Sequence, residues 1–385
     1  MVVVPGARPG SFITNLSGEL AYQSFRPAPL PPDPPLLFDG PLSERVGSAN
    51  RHLAELDAMS RFIPSVDLFI SSYVRKEALM SSQIEGTQCT LDDVLDPEAE
   101  GSANADVAEV VNYVRAMRGA IEDLSGLPLC NRLLRRAHAV LMRGVRGEDK
   151  TPGEFRRSQN WVGPAGCTLR EARYVPPNVE DMYEAMGRLE TYLNSGDAND
   201  PIVRAALIHY QFETIHPFLD GNGRVGRLLI LLFLMQEGLL HKPVLCPSYF
   251  LKRNQWEYYD RMTRVRETGD YEQWVGFFVE AVDAAAVDAS QAIGRLVELH
   301  DANLGKIAKT GRALKSTERV FTYLEQQPII DIGRTARALG VSYNTVSGAV
   351  RRLEALDIVT ERTNAQRNRV FAYDDYLAVL RRGTE

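Results

Sequence analysis

From about Leu42 onward apolar residues recur at three- and four-residue spacing, the periodicity of helices that bury one face. It predicts helices over 42–60, 64–86, 104–124, 127–145, 179–195 and 201–215, then 223–238, about 251–267 and 270–302. Asp200-Pro201 is a start signal, a capping carboxylate ahead of a proline whose missing N–H costs nothing in the first turn. The longest apolar run, Leu228 to Met235, is too short to cross a bilayer and reads as a buried helix. The helical pattern breaks between Asn160 and Pro177, where Gly163, Pro164, Gly166 and Pro176 flank Thr168-Leu169 and Tyr174-Val175. That break predicts a β-hairpin projecting from a helical body. Residues 1–40 carry six prolines between Pro27 and Pro35 and predict an extended strap.

Beyond a polar linker at 305–316, the pattern predicts helices over 316–327, 332–339 and 343–356, then strands near 358–362 and 368–373. A helix–turn–helix followed by a two-stranded wing is a winged-helix signature. A chain of 385 residues is long for one core, so two or three domains are expected. Its 44% hydrophobic and 24% charged residues are ordinary for a soluble protein, and a net charge of −6 argues against a globally basic nucleic-acid coat. Four cysteines without a CxxC pair argue against structural zinc or a disulfide framework. With no signal-peptide pattern at Met1, a cytoplasmic protein away from membranes is the expectation.

The candidate chemistry lies in one loop, between the helices predicted at 201–215 and 223–238. Gly221 and Gly223 bracket Asn222 and allow a positive φ and close approach of a ligand. The helix beginning there offers free N–H groups and a positive dipole end to an anion. Arg224 and Arg227 lie three apart in its first turn, on one side. Asp220 is a one-oxygen ligand for Mg²⁺, with phosphates supplying the rest. His216 is a candidate general base, a role typically worth about 10²–10⁴-fold in rate.

Residues 216–227 resemble the Fic family motif HxFx(D/E)GNGRxxR and match it at every fixed position. The resemblance implies transfer of AMP from ATP, with Mg²⁺, to a Ser, Thr or Tyr hydroxyl of a target protein. It makes His216 the base, Asp220 the Mg²⁺ ligand and Phe218 a core anchor. Asn222 and Gly223 would hold the α- and β-phosphates, Arg224 the β- and Arg227 the γ-phosphate. The predicted hairpin corresponds to the family's flap, which holds the target's backbone by strand addition. Tyr258 and Tyr259 are candidates for the adenine pocket, with core packing as their alternative.

Ser81-Ser-Gln-Ile-Glu85-Gly86 resembles the family's inhibitory motif (S/T)xxxE(G/N). Glu85, at a helix C-terminus where its charge opposes the dipole, needs a cationic partner. Arg227 could supply one, and the pair would then occupy the γ-phosphate position. The same glutamate serves in some relatives to remove AMP, which is an alternative activity. The resemblance runs from about residue 28 to 300 and implies a mainly α fold. Its parts are a strap (1–40), an N-terminal helical domain with the inhibitory helix (41–120), a Fic helical core with a β-hairpin flap (121–304) and a winged helix-turn-helix domain (315–385). Pairing into a homodimer is left open.

Residues 315–385 hold eleven Lys/Arg against nine Asp/Glu, a net of +2. Tyr343, Asn344, Thr345 and Ser347 fall where a major-groove reader places its base contacts. Arg351 and Arg352, with Arg362, Arg367 and Arg369 in the wing, could meet phosphates. Many winged helices bind only protein, so DNA and protein stand as alternative partners. A DNA-binding regulator with a secondary catalytic domain is the corresponding alternative function.

Overall fold

The computed structural model describes residues 8–62, 66–164, 166–363 and 369–384. In chain order the elements are β1 (Gly10–Asn15), β2 (Tyr22–Pro27), α1 (Gly40–Phe62), α2 (Val66–Ile84), α3 (Leu91–Leu95), α4 (Ala105–Leu124), α5 (Asn131–Leu141), α6 (Val179–Leu193), α7 (Pro201–Ile215) and α8 (Asn222–Gln236). They continue with α9 (Pro247–Arg253), α10 (Gln255–Thr268), α11 (Tyr271–Ile307), α12 (Leu314–Gln326), β3 (Ile329–Asp331), α13 (Ile332–Leu339), α14 (Tyr343–Ala355), β4 (Thr360–Glu361), β5 (Val370–Ala372) and α15 (Asp374–Arg381). The chain is thus mainly helical, as its periodicity predicts. It divides into two compact units.

The first unit holds Met1–Leu53, Asn112–Leu240 and Phe250–Ala284. Its centre is α7, buried at nearly every position, with α8 beside it. A helix apolar on all sides belongs in a core. The Asp200 side chain caps α7 by accepting the Ile202 N–H, as the Asp-Pro signal predicts. Where α8 meets α7, Gly226 leaves room for the Glu213 side chain; a Cβ there would lie 2.1 Å from Glu213 Oε1. Trp274 fills the space behind α7 and donates Nε1–H to the Ala206 carbonyl at 2.8 Å.

Two expectations change here. Over residues 10–27 the strap is an antiparallel hairpin, β1 on β2, paired from Gly10↔Pro27 to Asn15↔Tyr22. Phe25 N–H then donates to the Val175 carbonyl at 3.0 Å. The hairpin predicted at 160–177 is a single bridge, Val162↔Tyr174. Leu169–Glu171 is a 3-10 turn in which Thr168 and Glu171 cap each other, a local alternative to strand pairing.

The second unit holds Ala54–Val111, His241–Tyr249 and Ala285–Glu385. The expected linker at 305–316 is helical: α11 runs to a fully buried Ile307, then a 3-10 turn with Gly311 at φ 64° leads into α12. Downstream, β3, β5 and β4 form a three-stranded antiparallel sheet in that order, with α13 and α14 between β3 and β4. Neither β3 nor α15 is predicted by periodicity. Helix α15 returns to α2, where Phe69 and Tyr376 rings lie 5.7 Å apart and Lys76 Nζ donates to the Arg382 carbonyl at 3.0 Å. Arg381 grips Asp92, on α3, through two nitrogens. Among the described residues no helix is long and apolar enough to cross a membrane.

Candidate active site

The loop joining α7 to α8 begins with backbone strain. His216 caps α7 in the left-handed region, φ 51° and ψ 60°, which a non-glycine residue adopts only where its surroundings impose it. Those surroundings are two side chains some sixty residues upstream. Arg156, fully buried, donates Nε–H to the His216 carbonyl at 3.1 Å, and its own N–H goes to the Pro217 carbonyl at 2.9 Å. Asn160 Nδ2 reaches the carbonyls of His216 at 3.3 Å and Phe218 at 2.8 Å. The His216 ring has Nδ1 3.3 Å from the Glu213 carbonyl. A carbonyl only accepts, so Nδ1 carries the proton and Nε2 is the basic nitrogen.

Asn222 closes the loop on itself. Its Oδ1 accepts Phe218 N–H and its Nδ2 donates to the Phe218 carbonyl, both at 2.8 Å. The resemblance implies phosphate contact at Asn222, but here the side chain is engaged with the loop. An anion is therefore left the main-chain N–H groups of the first turn of α8. Gly221, at φ 75°, makes the left-handed step into that helix, and a Cβ there would meet Met142 Sδ at 2.9 Å. Arg224 and Arg227 are 2% and 1% exposed, so the two cations lie inside the wall of the site. Arg224 Nη2 is 4.0 Å from Asp220 Oδ1 and 3.5 Å from Met142 Sδ.

Asp220 is the one acid placed for a metal in this loop. Its Oδ2 lies 3.0 Å from Lys150 Nζ and its Oδ1 accepts Gly221 N–H at 2.7 Å. Burial would raise this carboxyl, but the Lys150 ammonium, the Gly221 N–H and Arg224 hold it below the usual carboxylate range. Gly147, at φ 87°, faces Oδ2 so closely that a Cβ would sit 2.9 Å away. Among the described residues no group of three or more His, Cys, Asp or Glu could cage a metal. One carboxylate in a glycine-lined recess fits Mg²⁺ that shares its shell with phosphates and water, and fits a protein-caged ion poorly.

His138 completes the wall. On α5 and 1% exposed, it accepts Gly153 N–H at Nδ1 (2.8 Å), and its Nε2 lies 3.0 Å from the Asp220 carbonyl. The ring stacks on Phe218, centroids 3.8 Å apart at 7°. Burial pushes its pKa down to about 4, which keeps it neutral. Phe218 is itself fully buried, as a core anchor should be.

Tyr258 is also fully buried and donates its hydroxyl to His209 Nε2 at 2.8 Å, while His209 Nδ1–H donates to the Gly226 carbonyl at 3.0 Å. That side chain is core packing, so the adenine-pocket expectation does not hold for it; Tyr259 is half-buried beside it. Where the flap is expected, Tyr174 is buried with its hydroxyl on the Thr214 carbonyl, whereas Trp161 and Val162 are exposed.

The remaining predicted residues lie in the second unit. Ser81 is fully buried, Glu85 is half-exposed, and Gly86, at φ 99°, ends the α2 segment. On α14, Tyr343, Asn344, Thr345 and Arg351 are exposed and Ser347 is half-buried, with Ser342 capping the helix. Arg362 and Arg369, expected in a wing, are engaged internally, with Asp374 and Glu361, which weakens the expectation that they meet phosphates. Arg367 lies outside the described residues.

Four residues of this site carry no signal in the sequence: His138, Lys150, Arg156 and Asn160. Three of them act on main-chain atoms of the loop, and a carbonyl gives no hint of its distant donor. Only the polar Arg156 and Asn160 on the edge of a predicted loop could have drawn notice.

Residues 43–122 match the Fic/DOC family N-terminal model and residues 128–234 the Fic/DOC family model. The protein adenylyltransferase Fic of Drosophila grimshawi is 36% identical over 155 residues, 38% of this chain and 29% of that protein. Its counterpart in Aedes aegypti is 38% identical over 133 residues, 34% of this chain and 23% of that protein. The matched stretch thus spans under a third of the length of these relatives. A crystal structure of a Fic family protein from Desulfovibrio desulfuricans G20 superposes with a TM-score of 0.57 at 19% identity, covering 88% of this chain and 97% of that one. A Fic domain containing signaling protein from Bacteroides thetaiotaomicron VPI-5482 gives 0.50 at 17%, covering 65% and 95%. The chain thus carries a segment that matches the Fic/DOC family N-terminal model, followed in sequence order by one that matches the Fic/DOC family model.

Proposed function

We propose that this chain is an autoinhibited protein adenylyltransferase, moving AMP from ATP to a Ser, Thr or Tyr hydroxyl of a target protein and of itself. One observation carries the reading: a histidine whose Nδ1 is committed to the Glu213 carbonyl stands at the mouth of a helix N-terminus walled by two buried arginines. The named activity of relatives 36–38% identical over this stretch supports it. The target hydroxyl gives its proton to His216 Nε2 as its oxygen bonds to the α-phosphorus, and the bond from that phosphorus to the bridging oxygen breaks to release pyrophosphate. The first N–H groups of α8, with Arg224 and Arg227, stabilise the phosphate charge that builds. Asp220 would hold Mg²⁺, which when bound neutralises phosphate charge.

Glu85, at the end of α2, is the proposed inhibitory residue, its carboxylate competing with the γ-phosphate for Arg227. Residues 315–385 are the proposed winged-helix targeting domain, with the exposed first turn of α14 as its contact surface for DNA or protein. A cytoplasmic setting is in keeping with four free cysteines. The test is incubation with ATP labelled in the α-phosphate, alone and with lysate, followed by mapping of modified peptides. Wild type and Glu85→Gly should label, the variant more strongly, and His216→Ala should not. Undiminished labelling by His216→Ala would overturn the assignment, and no gain in Glu85→Gly would remove the inhibitory role.

A further inference from the structure

We propose that His138 is a positioning residue that aims the Asp220 carboxylate through a single peptide plane. The amide N–H of Gly153 can only donate, so His138 Nδ1 is its acceptor and the ring proton sits on Nε2, which donates to the Asp220 carbonyl. In a trans peptide the C=O and the following N–H point in opposite directions. Fixing the Asp220 carbonyl toward His138 therefore fixes the Gly221 N–H away from it, and that N–H is bonded to Asp220 Oδ1 at 2.7 Å. The imidazole thus orients the carboxylate without touching it.

The ring is itself immobilised. It is 1% exposed, stacked on Phe218, and followed one turn along by Met142, whose sulfur lies 3.5 Å from Arg224 Nη2 and fills the space a Cβ on Gly221 would need. A histidine that merely filled the core would need a partner for each nitrogen. This one has as its donor's target the peptide that carries the metal carboxylate, and as its stacking partner a residue of the same loop.

The inference rests on the reading of Asp220 as the Mg²⁺ ligand, and two side-chain replacements in the full chain separate its parts. His138→Asn keeps an acceptor near the Nδ1 position and loses the donor to Asp220. His138→Gln can place an N–H near the Nε2 position and restore that donor. Binding of Mn²⁺ as the probe, in the presence of α,β-methylene-ATP, is read by electron paramagnetic resonance, beside thermal unfolding. His138→Asn should weaken Mn²⁺ binding by about ten-fold, the scale for loss of an outer-shell partner, and His138→Gln should recover most of it. Equal Mn²⁺ affinity in wild type and His138→Asn would overturn the proposal.

A measurement on the unaltered protein decides the matter should the asparagine variant not fold. With ¹⁵N-labelled histidine, the His138 Nε2 resonance should be that of a protonated nitrogen and should move when Mg²⁺ and the ATP analogue are added. An unprotonated Nε2, or one indifferent to Mg²⁺, overturns the proposal. Labelling that survives His216→Ala would instead indict the reading of the loop, so the two failures are distinguishable.

Discussion

Lys150 Nζ lies 3.0 Å from Asp220 Oδ2, so the carboxylate assigned to Mg²⁺ carries its own counter-ion. A metal entering there must displace an ammonium that is 45% exposed, which makes the pair weak and readily parted. Lys150→Met should raise apparent Mg²⁺ affinity by up to about five-fold, the equivalent of a surface pair worth about 1 kcal/mol. Calorimetric Mg²⁺ titration in the presence of a non-reactive ATP analogue checks this; weaker binding would mean that the lysine helps to hold the phosphates.

Gly226→Ala should destabilise the first unit by about 1–3 kcal/mol, the usual cost of overpacking. The added Cβ would fall 2.1 Å from Glu213 Oε1 and 3.1 Å from Phe212 Cδ1, and so displace the Glu213 carboxylate and crowd that ring. Because His216 Nδ1 leans on the carbonyl of the same Glu213, activity should fall along with the urea midpoint. A variant with wild-type stability would show that the Glu213 side chain moves aside at no cost.

His209 provides a pH dependence. Burial, reinforced by the Arg227 charge, pushes its imidazole down to about 3 from an ordinary 6.5. The native state keeps it neutral while the unfolded chain takes up a proton below pH 6.5, so this contribution is whole above pH 6.5 and lost as pH falls toward 3. The slope it adds approaches about 1.4 kcal/mol per pH unit. Denaturant midpoints between pH 7 and 4 should fall less steeply in His209→Asn; parallel curves would mean that the imidazole titrates normally.

Tyr258→Phe separates core packing from nucleotide contact. It removes one buried hydroxyl from His209 Nε2 and should cost about 1–2 kcal/mol of stability. The KM for ATP should stay unchanged, since the ring is fully buried. A raised KM with unchanged stability would return Tyr258 to the adenine pocket.

What was legible in the sequence was local. The proposed base and metal acid, the glycine turn and two arginines stand within twelve residues, and the proposed roles depend on a helix starting at a particular place, which periodicity reveals. The long helices are legible for the same reason. Arg156 and Asn160 are not, because they hold the strained His216 by its backbone across some sixty residues. Asn222 misleads in the opposite way: its residue type suits a phosphate, while its geometry serves Phe218. The supposed linker at 305–316 misleads through composition, its polar residues lying on the outside of a helix and turn anchored by Ile307. Short pieces such as β3 and α15 hold too few residues to show a period at all.

Arg381 and Asp92 are 289 positions apart and yet share one bidentate contact. Segments 66–95 and 374–384 are for that reason tied together in the fold: reversing the charge of one should be compensated by reversing the other. A shortened chain lacking α15 would not be a milder version of this protein. It would leave Phe69 without its ring partner and Lys76 without its carbonyl, on the same helix that carries Ser81 toward Glu85.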